Sequence, residues 1–206
     1  MLDAIVLNTY RYTSDHMAEA EDGELINACC VGNTSAFEIL YLRYHPRVYR
    51  FVFRMLDNHE MAEEVVADTL YAVWKSASAF KARSAVSSWI LGIAYRTALK
   101  ALERNGRFLR GREDAEVLDT IADESPHLNP ELTASQFADT SLVNGALSKL
   151  SPEHQAVVQL TATGHSCAEI ATIVDCPVNT VKTRMFHARK QLQRILGSDV
   201  PDTKRE

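Results

Sequence analysis

The chain has 206 residues, 46% of them hydrophobic and 24% charged, the balance of a soluble globular protein with room for one ordinary domain or two small helical ones. No run approaches the ~20 apolar residues of a membrane span, and Asp3 near the start, with no basic stretch ahead of an apolar core, excludes a secretory signal, so a cytoplasmic protein without membrane insertion is expected. The net charge of −5 hides a segregation: nine Lys and Arg between Lys75 and Arg112 face one acid, Glu103, whereas Glu113 to Glu131 holds seven acids and no Lys or Arg.

Pro and Gly are sparse and β-branched alternation is nearly absent, which predicts an all-α fold. Residues 1–21 read as a variable N-terminal extension. A short helix over Gly23–Val31 ends at Gly32-Asn33, and Thr34 or Ser35 can cap a long second helix bearing Phe37, Leu40, Tyr41, Tyr44, Val48, Phe51, Val52 and Met55. Pro46 lies inside that helix and should start, bend or loosen a turn. A third helix runs from about Glu60 to Ala79. On it Glu60, Glu64 and Asp68 recur every four residues with Glu63 beside them, a row of like charges that suits either a solvated face or a basic protein partner.

Phe80–Ser88, FKARSAVSS, reads as a basic loop, and a fourth helix follows from Val86 to about Arg104. Its buried stripe is Leu91, Ala94, Tyr95, Ala98 and Leu102, which turns Trp89, Ile93, Arg96 and Lys100 to the opposite side. An aromatic and basic face beside a loop carrying Phe80, Lys81, Arg83 and Ser84 has the composition that stacks on and holds unpaired bases. Trp89 as an ordinary core residue is the other reading.

Residues 105–134, with Gly106, Gly111, Pro126, Pro130 and the acidic run, form a flexible acidic linker. A second bundle then opens with a helix over Gln136–Lys149. Ser151-Pro152-Glu153 supplies an N-cap, a first helical residue and a first-turn acid for a helix that reaches Ala162 and stops at Gly164. Residues 166–196 read as a helix-turn-helix. Behind Ser166 as N-cap, Cys167, Ile170, Ala171 and Val174 make one buried stripe, and Asp175-Cys176-Pro177 breaks the helix. In the second helix Val181, Met185, Ala188, Leu192 and Ile195 cluster on one side. Opposite fall Thr183, Phe186, His187 and Lys190, flanked by Lys182, Arg184, Arg189 and Arg194, with no acid between Pro177 and Leu196. Such a helix suits the major groove of DNA; a solvated, membrane-facing or partner-docking helix is the plainer alternative.

The cysteines suggest neither a disulfide framework nor a metal site, since Cys29-Cys30 are adjacent and Cys167 and Cys176 lack a CxxC spacing. Cys167 is expected in the core as a small hydrophobe. The seven histidines show no HxxxH or HExxH pattern, and there is no nucleophile constellation, Gly-rich phosphate loop or carboxylate pair. No metal, no cofactor and no enzymatic activity are therefore expected.

Taken in order, AFEILYLRYHPRVYRF (36–51), MAEEVVADTLYAVWKSASAF (61–80), SSWILGIAYRTALKALER (87–104), NPEL (129–132), LSPEHQAVVQL (150–160) and EIATIVDCPVNTVKTRMFHARKQL (169–192) resemble the extracytoplasmic-function (ECF) sigma factors of the sigma-70 family. The resemblance implies a sigma-2-like domain over 22–104, which binds core RNA polymerase at the β′ clamp and the −10 element. It implies a sigma-4-like domain over 135–197, which binds the −35 element and the β flap, followed by a tail over 198–206. By the same resemblance Glu63, Glu64 and Asp68 form the clamp-binding face, and Glu60, on the same row of acids, is a polymerase-binding candidate with them. Phe80, Lys81, Arg83, Ser84, Trp89, Arg96 and Lys100 serve −10 capture and melting. Lys182, Thr183, Phe186 and His187 read −35 bases, while Arg184 and Arg189 hold phosphates or the local fold; Lys190, on the same basic face, is a further −35 DNA-binding candidate. Promoter DNA and an anti-sigma factor are the further partners implied, and the linker would thread toward the RNA exit path. The chain departs from the family pattern at Ala67, Leu70 and Arg96, at Asp175 and Asn179 where Gly is usual, and at His187 where Arg is common. Asn179 can N-cap the recognition helix, and His187 implies a changed −35 preference. The competing function is a stand-alone helix-turn-helix regulator with an N-terminal sensor or dimerisation bundle.

Overall fold

A computed structural model describes residues 19–106 and 145–198, which are helical with no strand among them. The chain divides into two compact units. The first is carried by α1 (Asp22–Cys30), α2 (Thr34–Leu56), α3 (His59–Ser76), a 3-10 turn at Ala77–Ala79 and α4 (Val86–Arg104). The second is carried by α5 (Pro152–Ala162), most of α6 (Cys167–Val174) and α7 (Val178–Ser198), with the end of α4 from Leu99 grouped here and Thr172–Asp175 grouped with the first. The N-terminal extension up to residue 18, the acidic segment 107–134, residues 136–144 of the expected helix and the tail from 199 lie outside the described residues.

In the first unit α1 is stitched to α2 through Asp22, whose carboxylate accepts bonds from the Tyr44 hydroxyl and the Arg43 guanidinium, while Arg43 also donates to the Ala20 carbonyl at 3.1 Å. Burial, with the Asp22 carboxylate adding to it, keeps the Tyr44 phenol protonated far above its ordinary range. Along α2, Ala36, Leu40, Tyr44, Val48, Phe51, Val52, Met55 and Leu56 are buried at helical spacing, and each fully buried aliphatic side chain stabilises by about 1.5–3 kcal/mol. The cap of α2 is Asn33 rather than Thr34 or Ser35. Its side-chain oxygen accepts the Ala36 N–H at 3.0 Å, and Thr34 is already in the first turn. The helix continues through Pro46 because the carbonyl that Pro46 leaves unbonded belongs to Leu42, whose side chain is 67% exposed, on a side that water reaches.

Asp57, left-handed at φ 49°, ends α2, and the Asn58 side chain caps α3 by accepting the Met61 N–H at 2.9 Å. The two helices run antiparallel: Phe37 meets Trp74 with ring centroids 5.1 Å apart, His45 meets Glu63 at 3.7 Å, and the Tyr49 hydroxyl bonds His59 Nδ1 at 2.7 Å. α3 stops at Ser76, three residues short of the expected Ala79. There the Ser76 hydroxyl donates to the Ala72 carbonyl and the chain tightens into the 3-10 turn. The basic loop is also shorter than Phe80–Ser88, because α4 begins at Val86 and the Ala85 carbonyl already accepts the Trp89 N–H.

In the second unit Ser151 caps α5 as expected, accepting the His154 N–H, with Pro152 in the first turn. α7 packs on α5 in the opposite direction, since His187 lies beside His154 and Gln191 Nε2 donates to the Lys149 carbonyl at 3.3 Å. By Gln191, α7 has therefore already passed the start of α5. Its 21 residues span about 31 Å against about 16 Å for the 11 of α5. For that reason Leu192 and Ile195, expected on the buried stripe, are only half-buried, and Leu196 is 41% exposed.

α6 opens on a reciprocal box: Ser166 Oγ accepts the Glu169 N–H while the Ser166 N–H and hydroxyl both donate to Glu169 Oε2, at 2.9 and 2.8 Å. Ile170, Ala171 and Val174 are buried behind it. Cys167, at the first helical residue on the rim, is only half-buried and not the core residue expected. Asp175 takes φ 51°, the Cys176 N–H reaches back to the Ala171 carbonyl at 3.1 Å, and α7 then starts directly after Pro177. Asn179 is thus the second residue of α7 and not its N-cap. Replacing Ser166 by Ala should lower unfolding stability by about 1 kcal/mol, measurable by urea titration followed by circular dichroism, with the helical content of the folded state unchanged.

Candidate nucleic-acid interface

The apolar stripe of α7 decides what the helix shows to solvent. Val181, Met185 and Ala188 are buried at 1%, 6% and 0% exposure. At 100° per residue this leaves Lys182, Thr183, Phe186, Arg189 and Lys190 exposed. Phe186 is 51% exposed in the middle of that basic surface, with its ring 5.5 Å from that of His187. Thr183 is exposed and its Oγ1 donates to the Asn179 carbonyl at 3.0 Å. Arg184 and His187 are half-buried. Arg184 Nη1 lies 3.9 Å from the Cys176 Sγ of the turn, which ties this guanidinium to the start of α7.

His187 is less exposed than its face alone implies because His154 of α5 stands against it, with ring centroids 6.5 Å apart. Burial lowers the pKa of His154 from its ordinary value. Glu153 opposes that shift, and Arg184 and His187 reinforce it.

The other basic surface lies in the first unit. Lys81 and Arg83 are exposed in the loop and Ser84 is half-buried, with Ala82 between them in a left-handed conformation at φ 51°. Phe80 packs its ring against Trp89 at 5.1 Å, so both aromatics are half-buried and form one wall at the base of the loop. Trp89 is therefore part core and part surface. Arg96 and Lys100 are exposed one turn apart on α4. Ile93 does not join them. It is buried at 9% exposure, as are all the residues of α4 from Ile90 to Tyr95.

On α3, Glu60, Glu63, Glu64 and Asp68 are all exposed, and Glu63 is met from α2 by His45. Next to them runs a feature that the charge pattern does not show. Phe37, Tyr41, His45, Tyr49 and Phe53 recur every four residues on α2 and contact one another ring to ring at 5.2–6.3 Å. Tyr41 and Phe53 are each 37% exposed and Tyr71 of α3 is 60% exposed. The i, i+4 aromatic spacing was present in the sequence, but only the antiparallel partner shows which of these rings stay in solvent.

A Sigma-70 region 2 family model matches residues 40–108, and a Sigma-70, region 4 model matches residues 142–192. The chain is 30% identical over 180 residues to the ECF RNA polymerase sigma factor SigM of Mycobacterium tuberculosis, a match covering 87% of this chain and 86% of that protein. It is 25% identical over 185 residues to the RNA polymerase sigma-H factor of Pseudomonas aeruginosa, covering 87% and 96%. Among solved structures, the sigma factor RpoE of Bartonella quintana, in complex with the anti-sigma factor NepR, superposes with a TM-score of 0.56 at 29% identity, over 79% of this chain and 98% of that one. CnrH, in complex with the cytosolic domain of CnrY, shares the fold with a TM-score of 0.62 at 23% identity, over 86% and 98%.

Two helical units, one ending in a basic helix-turn-helix and one pairing an acidic helix with a basic loop, are the parts of a transcription initiation factor. The chain belongs to the ECF sigma factors of the sigma-70 family, which direct core RNA polymerase to promoter DNA. Sigma factors are non-catalytic initiation factors, and a stand-alone helix-turn-helix regulator is not favoured. Among the described residues no helix is long and apolar enough to cross a membrane.

The lowered pKa of His154 has a consequence for stability. Well above the ordinary histidine value of 6.5 the ring is neutral folded and unfolded alike. As pH falls below that value the unfolded chain takes up the proton first, and stability is lost progressively until the folded pKa is passed. The thermal midpoint should therefore drop between pH 7.5 and 5, and His154→Gln should make that drop shallower in scans across the same range.

Proposed function

We propose that the two units divide promoter recognition as a −10 and clamp-binding domain over 22–104 and a −35-binding domain over 135–197, with the acidic segment 105–134 threading through polymerase toward the RNA exit path. The single observation that carries the reading is the solvent face of α7: basic along its length, free of acids from Pro177 to Leu196, and bearing an exposed Phe186. Lys and Arg on such a face release counterions from DNA phosphates. Phe186 and the Thr183 methyl offer apolar contact to a thymine methyl in the major groove. Lys182, Thr183, Phe186 and His187 read bases, whereas Arg184, Arg189 and Lys190 position the backbone or the local fold; the half-buried, turn-bound state of Arg184 supports a framework share in its role.

In the first unit, Phe80, Lys81, Arg83, Ser84, Trp89, Arg96 and Lys100 hold the melted −10 strand. The Phe80–Trp89 wall offers a stacking surface, and the neighbouring cations serve the phosphates. Extruding a base from the duplex costs a few kcal/mol, which stacking and phosphate contacts together offset. Glu60, Glu63, Glu64 and Asp68 meet a basic surface of the β′ clamp, and the α2 aromatic row supplies apolar area beside that charged contact. The chain works in the cytoplasm, where it carries no chemistry of its own. An anti-sigma factor covers it when it is idle, in keeping with the complex of the sigma factor RpoE with the anti-sigma factor NepR.

Two experiments test these assignments. Reversing Glu64 and Asp68 to Lys should abolish co-elution with core polymerase while leaving the helical circular dichroism near that of the parent; a folded double variant that still binds polymerase with unchanged affinity assigns the contact elsewhere. In a reconstituted holoenzyme assayed on a randomised −35 library, His187→Arg should change the preferred base at one position by about 1–3 kcal/mol. Arg184→Ala should weaken all promoters about equally, and selective loss at one base pair would reverse the roles given to these two residues.

A further inference from the structure

We propose that His154 is a specificity-positioning residue. From the first turn of α5 it fixes the pose of His187 on the recognition helix, and thereby the sharpness of the base preference at the one −35 position His187 reads. The proposal rests on the reading of His187 as a base contact.

Three rings stand in a row from the buried start of α5 to the DNA-facing side of α7. His154 is anchored at the inner end, where its Nδ1 lies 3.0 Å from the Oγ of Ser151, the N-cap of α5, itself 8% exposed. Its ring meets that of His187 edge to face, at 6.5 Å and 63°. His187 in turn meets Phe186 edge to face, at 5.5 Å and 74°. The imidazole that faces DNA is thus bracketed on one side by a ring from a different helix and on the other by its own neighbour.

This bracketing matters because a neutral imidazole presents a donor at one nitrogen and an acceptor at the other. A side chain free to change rotamer or to flip its ring offers both to a base pair and discriminates poorly. One held from behind offers a single edge, and the ordering entropy has already been lost before DNA arrives. Burial favours the neutral form of His154, so it packs against His187 as an uncharged ring, with Glu153 and Arg184 the charged side chains whose fields act on it. Neither nitrogen of His154 needs to touch DNA for this effect.

The test uses the full chain in reconstituted holoenzyme on a promoter library randomised through the −35 element, with His187→Ala, His154→Ala, His154→Phe and the double alanine variant. Base preferences are ratios within one library, so a reduced folded fraction lowers all promoters alike and leaves the ratios untouched. His187→Ala should alter the preference at one base pair. His154→Ala should flatten or switch the preference at that same base pair by about two- to tenfold and spare the others. His154→Phe, which keeps a ring against His187, should restore much of the lost sharpness, and the double alanine variant should match His187→Ala. If His187→Ala changes a preference while His154→Ala leaves the profile intact or flattens every position equally, His154 does not position His187 although His187 still reads DNA. If His187→Ala changes no preference, the base-reading role and the positioning role fall together.

Discussion

α7 is held to α5 along one apolar stripe, and the direction of nearly every other side chain on it follows from that contact. Val181, Met185 and Ala188 occupy the buried side, so much of the remaining surface of a 21-residue helix is left to solvent. The turn at Asp175-Cys176-Pro177 decides where that surface begins, because Pro177 ends one ladder and its carbonyl starts the next by accepting the Val181 N–H. Had the stripe been shifted by one residue, Phe186 would have moved about 100° toward the core and the basic face would have been divided.

The same economy of faces operates in the first unit with the opposite charge. α3 buries Ala62, Val65, Val66, Thr69, Leu70 and Val73 and leaves Glu60, Glu63, Glu64 and Asp68 in solvent. Like charges four residues apart weaken an isolated helix by a few tenths of a kcal/mol per pair. Tertiary burial of the other face offsets this many times over, which allows a helix of marginal intrinsic stability to keep an acidic surface. A net charge of −5 on a DNA-binding protein is therefore no contradiction. The whole-chain figure averages an acidic helix face, an acidic segment and two basic surfaces that lie in different parts of the chain.

Helix type and order were legible in the residues themselves, and so were the site residues as members of faces. Periodicity placed seven of the described helices within a few residues of where they lie, and the basic face of α7 needed only the 100° rotation. Helix ends were less legible, for local reasons that compete closely in energy. Asn33 rather than Thr34 caps α2, Pro177 displaces Asn179 from the cap of α7, and the Ser76 hydroxyl helps to stop α3 three residues early. Each choice involves about a kilocalorie or less, well within what a neighbouring contact can reverse.

The chain's own order of residues determined which side chains share a helix face, since that depends only on a rotation of 100° per residue and on where Pro, Gly and capping groups interrupt it. Tertiary structure alone decided how deep each face lies. Ile93 shares a side with Arg96 and Lys100 yet is buried, and Leu192 and Ile195 belong to the apolar stripe yet are half-exposed, the latter two because α7 extends past the start of α5. The meeting of His154 with His187 is of the same kind. The two are 33 positions apart, and their contact comes from the antiparallel alignment of α5 with α7, a relation between elements that no local pattern encodes.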